Sequence, residues 1–271
     1  MLCITGLFAF FVFGHVSDYR RSIDAIYNFD FEWNKIVHEH EIDRDLSRVL
    51  HSWNAFLLAN ETEFYDTVSI VNDRYRNVEK NASEERLMHL YASLVLMRMK
   101  AIQGSFWGTL KSFREGEQDL KYFLKKETKN DREKLVVALY HTLAGAAATN
   151  SMKIKILLLT MPSPDEEMGV ELLKRLTQST DVFVAGESAY FMGKYYAEIK
   201  DNKKEGLPYF LKLHRKYPNN PVFIFECARL SDDNKVFVDK LKDVVNNQLK
   251  VTDFQKETFI QTALNRLEVR E

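Results

Sequence analysis

An all-α protein of stacked antiparallel helix hairpins is predicted by three features of the sequence. Apolar residues recur at spacings of three and four from residue 18 onward, Gly and Pro are scarce, and strand-like runs are few and unpaired. The 271 residues include 10 Gly and 5 Pro, against typical usage of about 7% and 5%. A sheet protein of this length needs many Gly- and Pro-bearing turns, so long helices with short polar loops are expected. Helices of about 10–20 residues with short connections pack as antiparallel neighbours, and a long series of such pairs makes a stack of about twelve helices.

The N-terminal run Met1 to Gly14 carries no charge and turns polar at His15 before Asp18-Tyr19-Arg20-Arg21. It is short for a membrane span of about 20 residues but fits a secretory apolar region of about 7–15. Residues 1–17 are therefore expected to be a signal peptide, with a retained N-terminal anchor or a buried first helix as alternatives. The absence of a positive segment before the run weighs against export. A single domain is expected over 18–271. Cys3 falls in the leader, so Cys227 would be the mature chain's thiol, and its apolar surroundings predict burial.

The first stripe is Leu46, Val49, Leu50, Trp53, Phe56 and Leu57, and the second is Phe64, Val68, Val71, Tyr75 and Val78. A third runs Leu87, Leu90, Tyr91, Leu94, Met97 and Ala101, and a fourth Leu110, Phe113, Leu120 and Leu124. Each leaves the opposite face charged, as a helix buried on one side requires. Ser83 before Glu84-Glu85, Ser105 after Gly104, Asn130-Asp131 and Asp165 before Glu166-Glu167 are the expected helix starts. Pro162-Ser163-Pro164 stops a helix, and Gly206-Leu207-Pro208 places a Pro in a first turn. Val182-Phe183-Val184 and Val222 to Phe225 have strand-like composition but no hairpin punctuation, so both are read as starts of buried helices. The polar C-terminal segment 235–271, with Phe254, Phe259, Leu264 and Leu267, is expected to cap the stack.

The clearest repeat-like unit is 187–221. Gly193 and Tyr196 stand three apart on its first helix, Gly206 and Phe210 four apart on its second, and Pro218-Asn219-Asn220-Pro221 closes it. The unit resembles a tetratricopeptide repeat, which sets small residues where paired helices touch, aromatics in the holes and a Pro at the end. It departs in a loop, Lys200 to Lys204, that is long by one residue, and in Gly206 where the pattern has Ala. Gly104 with Gly108, and a degenerate hairpin from Ile23 to His40 turning at Asn28-Phe29-Asp30, resemble weaker units. In layout, with Ala25 to Phe31 after a leader, the chain is similar to exported tetratricopeptide proteins common in Bacteroidota. The resemblance implies a right-handed superhelical solenoid and a binding scaffold in the cell envelope, periplasmic or envelope-associated, with no catalytic residues and no cofactor.

A net charge of −1, from 38 basic and 39 acidic residues, gives no basic excess for nucleic acid, so none is expected as partner. Among the seven histidines, His38 and His40 are two apart and point to different helix faces, and no His-x-x-x-His or Cys-x-x-Cys occurs, so no metal site is expected. Glu85 and His89 read as a surface contact, and His141 as a satisfied interior histidine. No Gly-rich phosphate loop or Gly-x-Ser-x-Gly elbow is present, and Glu166-Glu167 and Asp232-Asp233 read as helix-start or solvated charge. Asn60-Glu61-Thr62 and Asn81-Ala82-Ser83 match the N-glycosylation pattern. No catalytic set is expected.

Solenoids of this kind bind on a concave surface lined by the first helix of each hairpin. Tyr91, Arg98, Tyr190, Lys194 and Tyr195 are the candidate partner-binding residues, with Asn54, His51 and Trp53 less sharply placed. Tyr and Arg combine contact area with directional hydrogen bonding, although a repeat helix also needs aromatics for its own packing. The patch Ala144 to Ala148 fits close helix approach or a ligand-facing surface. The expected function is a non-enzymatic scaffold binding a protein or peptide in its groove. The rivals are a membrane-tethered assembly subunit, a small-ligand-binding helical protein, and a homo-oligomer joined through Lys235 to Glu271.

Overall fold

A computed structural model describes residues 18–30, 36, 38, 40–59, 63–77, 83–150, 160–248, 257, 260, 261 and 263. The expected leader 1–17, the glycosylation-pattern residues Asn60 and Asn81, and Phe254, Phe259, Leu264 and Leu267 lie outside the described residues. Among the described residues the chain is all-helical, with eleven α-helices and no strand. These are α1 (residues 18–27), α2 (Glu41–Ala59), α3 (Glu63–Tyr75), α4 (Ser83–Ile102), α5 (Phe106–Lys125) and α6 (Asp131–Asn150). They continue as α7 (Glu166–Leu176), α8 (Val182–Lys194), α9 (Lys203–Lys216), α10 (Pro221–Leu230) and α11 (Lys235–Asp243). Val182 and Pro221 open helices, as expected of the two strand-like runs.

Local chemistry sets most boundaries. Ser105, Asp165 and Asn220 accept from backbone N–H groups at the starts of α5, α7 and α10, and Asn130 accepts from Glu133 N at 2.9 Å in the first turn of α6. Gly104 turns α4 into α5 with a left-handed φ of +72°. Ser83 behaves differently. Its hydroxyl donates to Glu133 at 2.7 Å and accepts from Lys126 at 2.8 Å, tying α4 to the α5–α6 connection. Pro208 is the sixth residue of α9, because Asn202 caps that helix earlier than Gly206 suggested. A π-helical turn, Tyr195–Ile199, ends α8, and Asp201 follows at φ +50°.

Successive helices pack as neighbours, and named contacts show several pairs to be antiparallel. Arg86 meets Asp119 and Gly108 meets Lys100 across α4 and α5, and Gly169 meets Thr142 while Gly145 meets Glu166 across α6 and α7. In the α8–α9 pair, Gly193 faces Phe210 and the carbonyl of Gly193 faces Gly206. Gly145 thus uses its small size for close helix approach.

α1 reaches well beyond its neighbours in sequence. Ser22, Ile23, Ile26 and Tyr27 are buried. Ser22 bonds Ser47 of α2 at 3.0 Å, and Tyr27 donates to Glu187 of α8 at 3.0 Å. Asp24 accepts from Tyr217 at 2.8 Å, and the Tyr27 carbonyl accepts from Asn220 at 2.7 Å. One main core runs from α1 through α10, and a smaller one joins Phe29, Ile224, Leu241, Val244, Val245 and Ala263.

Candidate functional site

α2 packs on α4 and α6 packs on α8, while a chamber of about 510 Å³ opens among these four helices. Its floor is the buried stripe Leu46, Val49, Leu50 and Trp53 of α2. α4 contributes Tyr91, Leu94, Val95, Met97 and Arg98, and α6 contributes Leu135, Val136, Leu139, Tyr140, Leu143 and Ala144. Phe183, Glu187 and Phe191 of α8 and Phe113 and Leu120 of α5 complete the wall. Leu94, Val95, Met97, Leu139 and Leu143 are only half-buried, so apolar surface from facing helices remains uncovered in the chamber. The volume lies within the range of about 300–1,000 Å³ typical of small-molecule sites.

Polar groups are sparse and placed with purpose. The two wall tyrosines turn their hydroxyls away to backbone carbonyls: Tyr91 donates to Arg132 O at 3.3 Å and Tyr140 to Pro162 O. Their rings therefore face the chamber without a polar tip to satisfy. Arg98 and Glu187 are the basic and acidic residues of the wall. The Arg98 guanidinium lies 3.9 Å from the Trp53 ring centroid, 4.9 Å from Phe191 and 5.9 Å from Tyr190. Glu187 accepts from Tyr27, whose ring fits because residue 186 is Gly; a Cβ there would stand 2.8 Å from it. Burial raises the Glu187 carboxyl above its usual range, against the opposing pull of Arg98 and the Tyr27 hydrogen bond.

The candidate residues fall into two groups. Tyr91 and Arg98 line the chamber. Tyr190, Lys194 and Tyr195 do not line it. Tyr190 packs edge-on against Phe191 and Phe210, Lys194 pairs with Glu198 at 2.6 Å and Glu226 at 2.8 Å, and buried Tyr195 donates to Glu166 at 2.6 Å. Trp53 is a wall residue, while buried Asn54 donates to Ile26 O at 3.2 Å. Gly145 faces α7 in the close helix approach expected of the small-residue patch, while Ala144 lines the chamber. Glu187 was missed by the sequence reading. The available signal was an isolated carboxylate in the otherwise apolar start of α8, where only Lys194 is also charged.

Other chemistry-bearing groups have structural partners. His89 is buried, and its Nδ1 lies 2.6 Å from Asp119, which also takes Arg86 at 2.6 Å; the expected surface contact with Glu85 is replaced by this pair across α4 and α5. His141 Nδ1 accepts from Asp165 N at 2.9 Å, satisfying that nitrogen as expected. Cys227 is buried, and burial pushes its thiol up to about 12. Among the described residues no group of three or more His, Cys, Asp or Glu could hold a metal ion, and no helix is long and apolar enough to cross a membrane. No family model, curated protein or solved structure matches the chain.

Proposed function

We propose that this chain is a non-enzymatic helical binding protein that holds a small apolar ligand in the chamber among α2, α4, α6 and α8. The observation that carries this reading is the uncovered apolar wall of that chamber, supplied by half-buried side chains of α4 and α6. An open peptide groove suits the geometry less well, because α1 binds to α2, α8 and the α9–α10 connection on its own account. The tetratricopeptide-like solenoid belongs to the same proposal. Its support is the antiparallel pairing, the Gly193–Phe210 contact, and the alternating helices α2, α4, α6 and α8 sharing one chamber. Location in the cell envelope, by export or an N-terminal anchor, rests on the uncharged run Met1 to Gly14.

Titration with the neutral fluorophore N-phenyl-1-naphthylamine tests the ligand-binding reading. Saturable binding to the wild type, lost in A144F, is expected, since the added ring fills the space. Absence of binding, or binding unchanged by A144F, overturns it.

A second reading, a scaffold engaging a protein partner, is favoured by the tip of the α4–α5 hairpin. Ile102, Phe106 and Trp107 there are 50%, 68% and 77% exposed. A crosslinked pull-down with full-length protein from its native cells separates the two. A partner recovered by the wild type and lost with F106S/W107S supports the scaffold.

A further inference from the structure

The geometry points to a single-chain amphiphile with an anionic head group as the ligand class, its head at Arg98 and its chain between α4 and α6; this rests on the ligand-binding reading above. Arg98 is singular among the half-buried arginines of the described residues. Arg44, Arg48, Arg86, Arg132 and Arg229 each have a carboxylate within ion-pair distance, at 2.8, 3.3, 2.6, 2.7 and 2.5 Å. Arg98 has aromatic partners only, and among the described residues no acceptor and no carboxylate meets its N–H donors. Trp53 and Phe191 hold the guanidinium by the ring quadrupole, which uses its charge but leaves its hydrogen-bonding edge unmatched. A carboxylate or phosphate head satisfies that edge with short, charge-assisted bonds.

Glu187 does not already fill this role. It shares the chamber wall and feels the charge of Arg98, yet lies outside ion-pair distance and takes its hydrogen bond from Tyr27. Burial raises its carboxyl above the usual range, and among the described residues no carboxylate stands within ion-pair distance of the guanidinium beside the apolar wall. The rest of that wall has no acidic or basic side chain of the Asp, Glu, His, Lys or Arg type, which disfavours a second charged group deeper in the ligand. One anionic end and one apolar body are what the surface accepts.

Competition against bound N-phenyl-1-naphthylamine, below micelle concentrations, tests this on the full chain. The competitors are laurate, dodecyl phosphate, 1-dodecanol and dodecyltrimethylammonium. Laurate or dodecyl phosphate is expected to compete at least about tenfold more tightly than dodecanol, and the cation no better than dodecanol. The two anions tell a carboxylate site from a phosphate site. R98Q is expected to abolish the anion preference while the neutral probe still binds, and R98K to retain part of it. Probe binding with equal affinity for laurate, dodecyl phosphate and dodecanol, or an anion preference that survives R98Q, overturns the inference and leaves the ligand-binding reading standing. Failure of the wild type to bind the probe overturns both.

Discussion

Phe210 occupies the space that a side chain on Gly193 would need: a Cβ at residue 193 would stand 2.5 Å from the Phe210 ring. Phe210 is fully buried, so the ring has no solvent-side escape. This contact locks α8 to α9 in the unit that most resembles a repeat. Ala at 193 gains up to about 1 kcal/mol of helix propensity but forces overpacking that costs about 1–3 kcal/mol. G193A is expected to lower the urea midpoint, and F210A to lower it further by about 3–5 kcal/mol of stability. A G193A protein as stable as the wild type would remove the contact from the account.

Arg132 of α6 anchors the N-terminal helix. It reaches Asp181 at 2.7 Å and Asp43 at 3.2 Å, and lies 4.5 Å from the Tyr19 ring centroid. Tyr19 in turn donates to Asp181 at 3.2 Å. R132M removes the cation and strands two half-buried carboxylates, for an expected loss of about 2 kcal/mol, less than for a fully buried pair. Hydrogen exchange should show residues 18–27 opening more readily. Unchanged protection there would mean that α1 is held by its other bonds.

Acid stability should fall in two stages. Burial lowers His51 to about 4 from its ordinary 6.5. The unfolded chain therefore takes up that proton first, and stability is lost as pH falls from 6.5 towards 4. Burial alone would raise Glu117, but hydrogen bonds from Lys121, Arg114 and Thr160 hold it at about 2. Its contribution is present above about 4.5 and is lost as pH falls towards 2. Melting temperatures measured from pH 7 to 3 should show a shallower first stage in H51Q. A wild-type profile flat between pH 6.5 and 4.5 would contradict this.

Ile260 and Ala263 pack against the cluster of Phe29, Ile224, Leu241, Val244 and Val245. Removing Thr252 to Glu271 uncovers that apolar surface, and aggregation or a lower melting temperature is expected. A263D is the point test, placing a carboxylate at a site that is 4% exposed. A truncated chain that remains monomeric by light scattering with unchanged melting would deny the segment its capping role.

Much of the helical framework was legible because its physics is local. Ser105, Asn130 and Asp165 act at helix starts through side chains three residues from the N–H groups they satisfy. Gly104 turns the chain where its sequence position suggested. The stripe in α2 gave both its buried face and, unknowingly, the chamber floor. Tyr91 and Arg98, polar or amphipathic groups that interrupt an apolar stripe in α4, line the chamber. Lys194 and Tyr195 satisfied the same rule, yet Glu226 and Glu166 on other helices claim them.

By itself the sequence determined that the chain is helical, where many helices start and stop, and which face of each is apolar. Only the tertiary structure decided which apolar faces meet and which leave space between them. Tyr27 bonds a carboxylate 160 residues away, and Asp24 accepts from a tyrosine 193 residues away. Leu94 and Leu96, two residues apart on α4, differ in that Leu94 faces the chamber and Leu96 is buried in the core. Periodicity reports that a side chain leaves water, since that depends on its own chemistry. What it meets afterwards depends on the positions of whole helices, which are set by the sum of contacts between segments distant in the chain.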